Sequence, residues 1–234
     1  MHAHHKNLLA ELEKHQRTRA HSQANDSYLS SGHHYYDVSI PTLRALAKAW
    51  LKGNKGIADR EFLAVLASLY RGHSYEEKVL ASILLSYRRA GGKTIRTKQL
   101  DAWLDGLAGW AEIDSLCQSA FTAEEVLGNW SEWQSFIRKL SRDRNINKRR
   151  AALVFLTGPV RRSDDERLAA LAFDMIEALK PEREIIITKA VSWLLRSLVQ
   201  NHKRAVAAYI KENRNSLPAV AVRETTRKIA TGRK

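Results

Sequence analysis

The run Ile185-Ile-Ile-Thr-Lys-Ala-Val-Ser-Trp-Leu-Leu-Arg-Ser-Leu-Val199 carries its apolar residues at helical intervals. Ile187, Ala190, Val191, Leu194, Leu195 and Leu198 recur every three or four positions, one stripe of an α-helix over 185–199. Leu168, Leu171, Ala172, Met175 and Leu179 repeat the pattern just upstream. Helix starts are equally plain. Ser74-Tyr-Glu-Glu77, Ser131-Glu-Trp-Gln134 and Ser163-Asp-Asp-Glu166 read as capping boxes, and Ser39-Ile-Pro41 places a proline in a first turn. With only 11 Gly and 4 Pro, and no strand alternation, the reading is about a dozen helices of roughly 10–16 residues with short links such as Gly91-Gly92 and Gly158-Pro159. Many short helices on short links suggest stacked antiparallel pairs, a HEAT-like all-α solenoid with a concave basic surface. A compact bundle is the alternative.

No linker divides the 234 residues, so one domain over 1–234 is expected, residues 1–6 loosely ordered. His2, His4 and His5 then belong to a polar chain end rather than to a metal site. No apolar run approaches the ~20 residues of a membrane span, and no signal-peptide core follows Met1. The lone Cys117 excludes a disulfide framework or a Cys-rich zinc module. These features place the chain in the cytoplasm, and nothing demands more than a monomer.

Charge supplies the functional clue. The chain holds 39 Lys+Arg against 25 Asp+Glu, a net +14. Residues 1–137 carry 16 basic and 15 acidic side chains, whereas residues 138–234 carry 23 and 10. A near-neutral part joined to a basic part suggests a polyanionic partner, nucleic acid before membrane, the alternative being a solvated basic surface.

Three places could carry chemistry. At 100° per residue, Trp193 falls about 140° from the centre of its helix's apolar stripe, beside Lys189 and Arg196. It either packs under a neighbouring helix or forms an aromatic plate beside two phosphate-binding cations. A second helix begins near Trp110, with Ile113, Leu116, Cys117, Ala120 and Phe121 on its buried face. Asp114 sits at the border of that face, one turn after Trp110, a partly desolvated carboxylate that needs a salt-bridge partner or a purpose. Third, Lys148-Arg149-Arg150 opens the apolar run Ala151–Leu156. Three consecutive cations cannot share one face, so at least one turns towards the core or a groove. No phosphate loop, metal-ligand spacing, nucleophile elbow or helix-hairpin-helix motif is present, and no metal or cofactor is expected.

Taken in order, these residues resemble the AlkD family of alkylpurine DNA glycosylases, which are HEAT-like solenoids. The resemblance runs from Tyr28 to Lys228. Tyr28-Leu-x-Ser with Pro41-x-x-Arg44 is similar to the family's first segment, and Trp110-Ala-Glu-Ile-Asp114 to its Trp-x3-Asp signature. Arg150-Ala-Ala, Lys189-Ala-x2-Trp193-x2-Arg196 and Arg223-Glu224 are similar to its later segments. Ala111 and Asn147 depart from it, standing where an acidic residue and an aromatic are common.

The resemblance implies release of N3- and N7-alkylated purines from double-stranded DNA. Such a base is cationic and leaves without a general acid, so the need is for an anion that stabilises the sugar oxocarbenium and positions water. That role falls to Asp114. Trp110 and Trp193 press their ring faces on the cationic lesion and its sugar. Arg150 and Arg196 hold flanking phosphates, extended by Lys189, Lys148, Arg149 and Tyr28. The competing readings are a helical-repeat protein that binds branched or distorted DNA without chemistry, and a protein-binding scaffold.

Overall fold

The structure, a computed structural model, describes residues 1–17, 29–88, 95–118 and 121–233. Among them lie twelve helices and no strand, with one isolated bridge between His34 and Ser74. The chain divides into two compact units, Met1–Ala120 and Phe121–Lys234.

The first unit contains α1 (Ala3–Lys14), α2 (Ile40–Gly53), α3 (Asp59–Tyr70), α4 (Tyr75–Arg88), α5 (Thr97–Leu104) and α6 (Gly109–Cys117). Ser39 caps α2 by accepting from the Thr42 N–H, with Pro41 in the first turn where its missing donor costs nothing. Ser74 and Glu77 form a reciprocal box. The Glu77 N–H donates to Ser74 Oγ at 3.2 Å, while Glu77 Oε2 accepts from the Ser74 N–H at 2.8 Å. The main packing pairs are α1 with α2 and α3, α2 and α3 with α4, and α4 with α6. Leu43, Leu66, Leu69, Leu80, Leu84, Leu100 and Ile113 are fully buried at this core.

Residues 1–6 are not the loose end expected from sequence. His2 caps α1, and His5 is 1% exposed, its two ring nitrogens meeting Ser68 Oγ at 2.9 Å and Glu77 Oε1 at 2.6 Å. The apolar contacts of Leu8 and Leu12 dock the helix and carry the imidazole inside with it.

The second unit contains α7 (Ala123–Gly128), α8 (Trp130–Ser141), α9 (Ile146–Arg162), α10 (Glu166–Leu179), α11 (Ile185–Glu212) and α12 (Ala219–Thr231). Both sequence stripes, Leu168 to Leu179 and Ile187 to Leu198, are buried throughout. Phe121, Trp133 and Phe155 pack edge-to-face with centroids 5.3–5.7 Å apart. Phe121 therefore belongs to this cluster and not to the Trp110 helix, which ends at Cys117; Ala120 lies outside the described residues.

Other boundaries differ from the sequence reading. Asn129, not Ser131, precedes α8, and Asp165, not Ser163, caps α10 by accepting from the Arg167 N–H. Ser163 acts one step earlier, accepting from the Asp165 N–H at 3.2 Å. Gly158-Pro159 is no link but the interior of α9, where apolar neighbours on every side keep the chain helical despite the missing proline donor. Gly91-Gly92 lies outside the described residues. The 28-residue α11 is broken at His202, whose φ of −121° and ψ of 38° are non-helical, so the first segment closes just beyond the expected Val199.

Among the described helices, the principal contacts in both units join elements one or two places apart in the order given above. That is the pattern of an all-α helical-repeat fold, in which each element leans on its successors. Among the described residues no helix is long and apolar enough to cross a membrane.

Candidate functional site

The helix α6 begins with a constraint. Gly109 has φ +68°, and a Cβ there would run into the Leu29 carbonyl oxygen, so only glycine fits. Trp110 and Asp114 follow on one flank, about 40° apart around the axis, and both are half-buried as the border position predicts. Both make contacts of their own within the protein.

Beneath them lies a carboxylate that the sequence motifs do not single out. Glu112 is 1% exposed. Its Oε1 accepts from Ser31 Oγ at 2.5 Å and meets His33 Nδ1 at 2.8 Å, while Oε2 accepts from the Ala108 N–H at 2.9 Å. Glu112 thus ties α6 to segment 29–33 and also closes the helix's own first turn. A signal for it exists, because Glu112 shares a helix face with the buried Leu116 four residues on. Close by, Lys78 is buried and donates to the Gly72 carbonyl. Burial pushes its ammonium pKa down, opposed by the charges of Glu112 and Glu77. Tyr28 lies outside the described residues.

In the second unit, Lys189, Trp193 and Arg196 stand on the outer side of α11, with Lys189 exposed and the other two half-buried. A second carboxylate organises them. Glu224 of α12 lies 3.5 Å from Lys189 Nζ and 3.5 Å from Arg196 Nη2, and accepts from Ser192 Oγ at 2.6 Å. Burial tends to raise its pKa, but Ser192 and the two cations outweigh that and hold it below the usual glutamate range. The cations are therefore positioned by an anion rather than standing alone.

The run Lys148–Arg150, expected from the sequence to contact phosphate, also meets acceptors within the protein. Lys148 is buried with its Nζ 4.0 Å from Asp143. Arg149 grips Glu182 through two hydrogen bonds of 2.7 and 3.1 Å and also donates to the Asp143 and Arg144 carbonyls. Consecutive residues fan out by 200° around a helix, so the first two reach the protein's own acceptors. Arg150 is buried and donates to the Ile186 carbonyl in the first turn of α11, a turn ahead of Lys189. It fixes the start of the helix that carries Trp193. Among the described residues no group of three or more His, Cys, Asp or Glu is placed to share a metal ion.

Comparison with known proteins agrees with this frame. The fold is similar to a solved structure described as a predicted DNA alkylation repair enzyme from Enterococcus faecalis, with TM-score 0.76 and 18% identity over 92% of this chain and 98% of that one. Among curated proteins none matches. The model of the family described as DNA alkylation repair enzyme matches residues 8–229, and the chain belongs to that family.

Proposed function

We propose that this protein is a monofunctional DNA glycosylase that hydrolyses the N-glycosidic bond of cationic N3- and N7-alkylated purines in duplex DNA. The observation that carries the reading is the pairing of Asp114 with Trp110 on one half-buried flank of α6, in a chain of the DNA alkylation repair family.

A cationic purine needs no protonation to leave. As its bond to C1′ lengthens, positive charge moves onto the sugar, and a fixed carboxylate stabilises that charge more than it stabilises the ground state. Asp114 is that carboxylate, and it also orients the water that adds to C1′. The water's proton passes to solvent or to Asp114, and the alkylpurine departs neutral. Trp110 offers a ring face to the cationic base, an attraction of about 0.5–2 kcal/mol. Trp193, Lys189 and Arg196 hold the DNA through stacking and phosphate contact, with Arg150 setting the helix that presents them. No lysine is assigned a Schiff-base role, so the strand is left uncut.

The test is chromatography of bases freed from methylated duplex DNA. Release of 7-methylguanine or 3-methyladenine is expected from the wild type, and loss of most of it from Asp114→Asn with duplex affinity retained. An Asp114→Asn variant as active as wild type removes Asp114 from the mechanism. Junction binding with no base release from the wild type favours the non-catalytic alternative.

A further inference from the structure

Much of the basic surplus of the second unit is already engaged. Arg138 meets Asp174 at 2.6 Å, Arg149 holds Glu182, Arg167 holds Asp165, Lys180 meets Glu177 at 2.6 Å, and Arg196 shares Glu224 with Lys189. Three arginines near the C-terminal end are set differently. Arg214, in the turn after α11, and Arg223 and Arg227, on α12, line one open groove of about 790 Å³. All three are exposed, and none forms an ion pair or a side-chain hydrogen bond among the described residues. Leu217 and Val222 also line the groove, and no carboxylate does.

Helix geometry makes the arrangement directional. Arg223 and Arg227 lie about 40° apart around α12, on a flank about 80° from the one that carries Glu224. They are separated along the axis by about 6 Å, of the order of the through-space distance between neighbouring phosphates of one strand, which exceeds the ~3.4 Å rise per step along the duplex axis. Guanidinium groups fork onto phosphate oxygens, and an apolar floor suits the sugar faces between them. The nearest carboxylate on α12, Glu224, is engaged by Ser192, Lys189 and Arg196 and does not line the groove.

We propose that this groove is a second DNA contact, a cleft in which Arg214, Arg223 and Arg227 bind consecutive backbone phosphates apart from the α11 cations. The proposal rests on the DNA reading of the chain but not on its chemistry. Its occupant is the sugar-phosphate backbone, recognised by charge and not by base.

The experiment measures binding of an unmodified fluorescent duplex by the full chain over a range of salt. In R214A/R223A/R227A the slope of log K against log salt should become shallower by about 0.9 for each phosphate that is no longer neutralised, thus by two to three in all, with weaker binding at every salt. K203A/R204A/K211A removes the same charge from exposed positions on the second segment of α11 and should shift the slope by less than one. A wild-type slope in the groove variant overturns the proposal, and so does an equal fall in both variants. Should the triple variant fold poorly, R214A alone lies outside any helix and should still make the slope shallower by about 0.9. Base release from methylated DNA is scored in parallel. A wild type that releases bases while the groove variant keeps its slope leaves the repair reading and removes the groove; the converse leaves the groove and removes the repair reading.

Discussion

Nε2 of His5 lies 2.6 Å from Oε1 of Glu77, joining residues 72 positions apart across a buried seam of the first unit. Burial by itself would raise the Glu77 pKa, but hydrogen bonds from His5 and Ser74 prevail and bring it to about 2, against an ordinary 4.5. A carboxyl depressed in the folded state stabilises fully above its unfolded value and loses that contribution as pH falls towards the folded one. The first unit should therefore lose on the order of 3 kcal/mol between about pH 4.5 and pH 2. Acid titration followed by circular dichroism checks this. Glu77→Gln should be less stable at neutral pH and should lack that acid-dependent loss.

Gly109→Ala should destabilise by about 1–3 kcal/mol, since φ is +68° and the added carbon meets the Leu29 carbonyl. Thermal denaturation measures the cost. Base release should fall as well, because Trp110 and Asp114 follow directly on the displaced turn.

Removal of the Glu112 carboxylate leaves the Ser31 hydroxyl and the Ala108 N–H without their acceptor in a buried place. Glu112→Ala should cost about 2–4 kcal/mol, and Glu112→Gln, which keeps an acceptor, clearly less. Denaturant titration separates the two. If Glu112→Ala unfolds at the wild-type midpoint, the carboxylate does not anchor α6.

Glu224→Gln keeps a partner for Ser192 but removes the negative charge between Lys189 and Arg196. Duplex affinity at low salt should rise by roughly three- to tenfold, the yield of one neutralising charge at close range, and the gain should shrink as salt screens it. Anisotropy titration reads both effects. Weaker binding would mean that the anion's positioning of the two cations matters more than its charge.

Periodicity and caps make the all-helical fold legible. The stripes around Leu194 and Leu171, and the starts at Ser39 and Ser74, follow from local chemistry and stand where the pattern puts them. Elements set by distant partners are not legible. Helix α1 exists because Leu8 and Leu12 are covered and His5 finds Glu77, none of which a polar N-terminal sequence announces. Pro159 has the look of punctuation, but burial on all sides overrides it.

The candidate site divides along the same line. The half-buried setting of Asp114 and Trp110 is readable from helix phase, because a border position is a local property. Glu112 and Glu224, which hold the two helices' polar faces in place, act through Ser31, His33 and Ser192 on other elements. The protein partners of Lys148 and Arg149, Asp143 and Glu182, are likewise identified only by folding.

The prevalence of principal contacts between described helices one or two places apart has a bearing on biogenesis. Most described helices meet their main partners soon after being made, so for those contacts little loop-closure entropy accumulates before packing repays it; the His5–Glu77 seam, 72 positions apart, closes later. The amino-terminal helices can dock while the carboxy-terminal ones are still being translated.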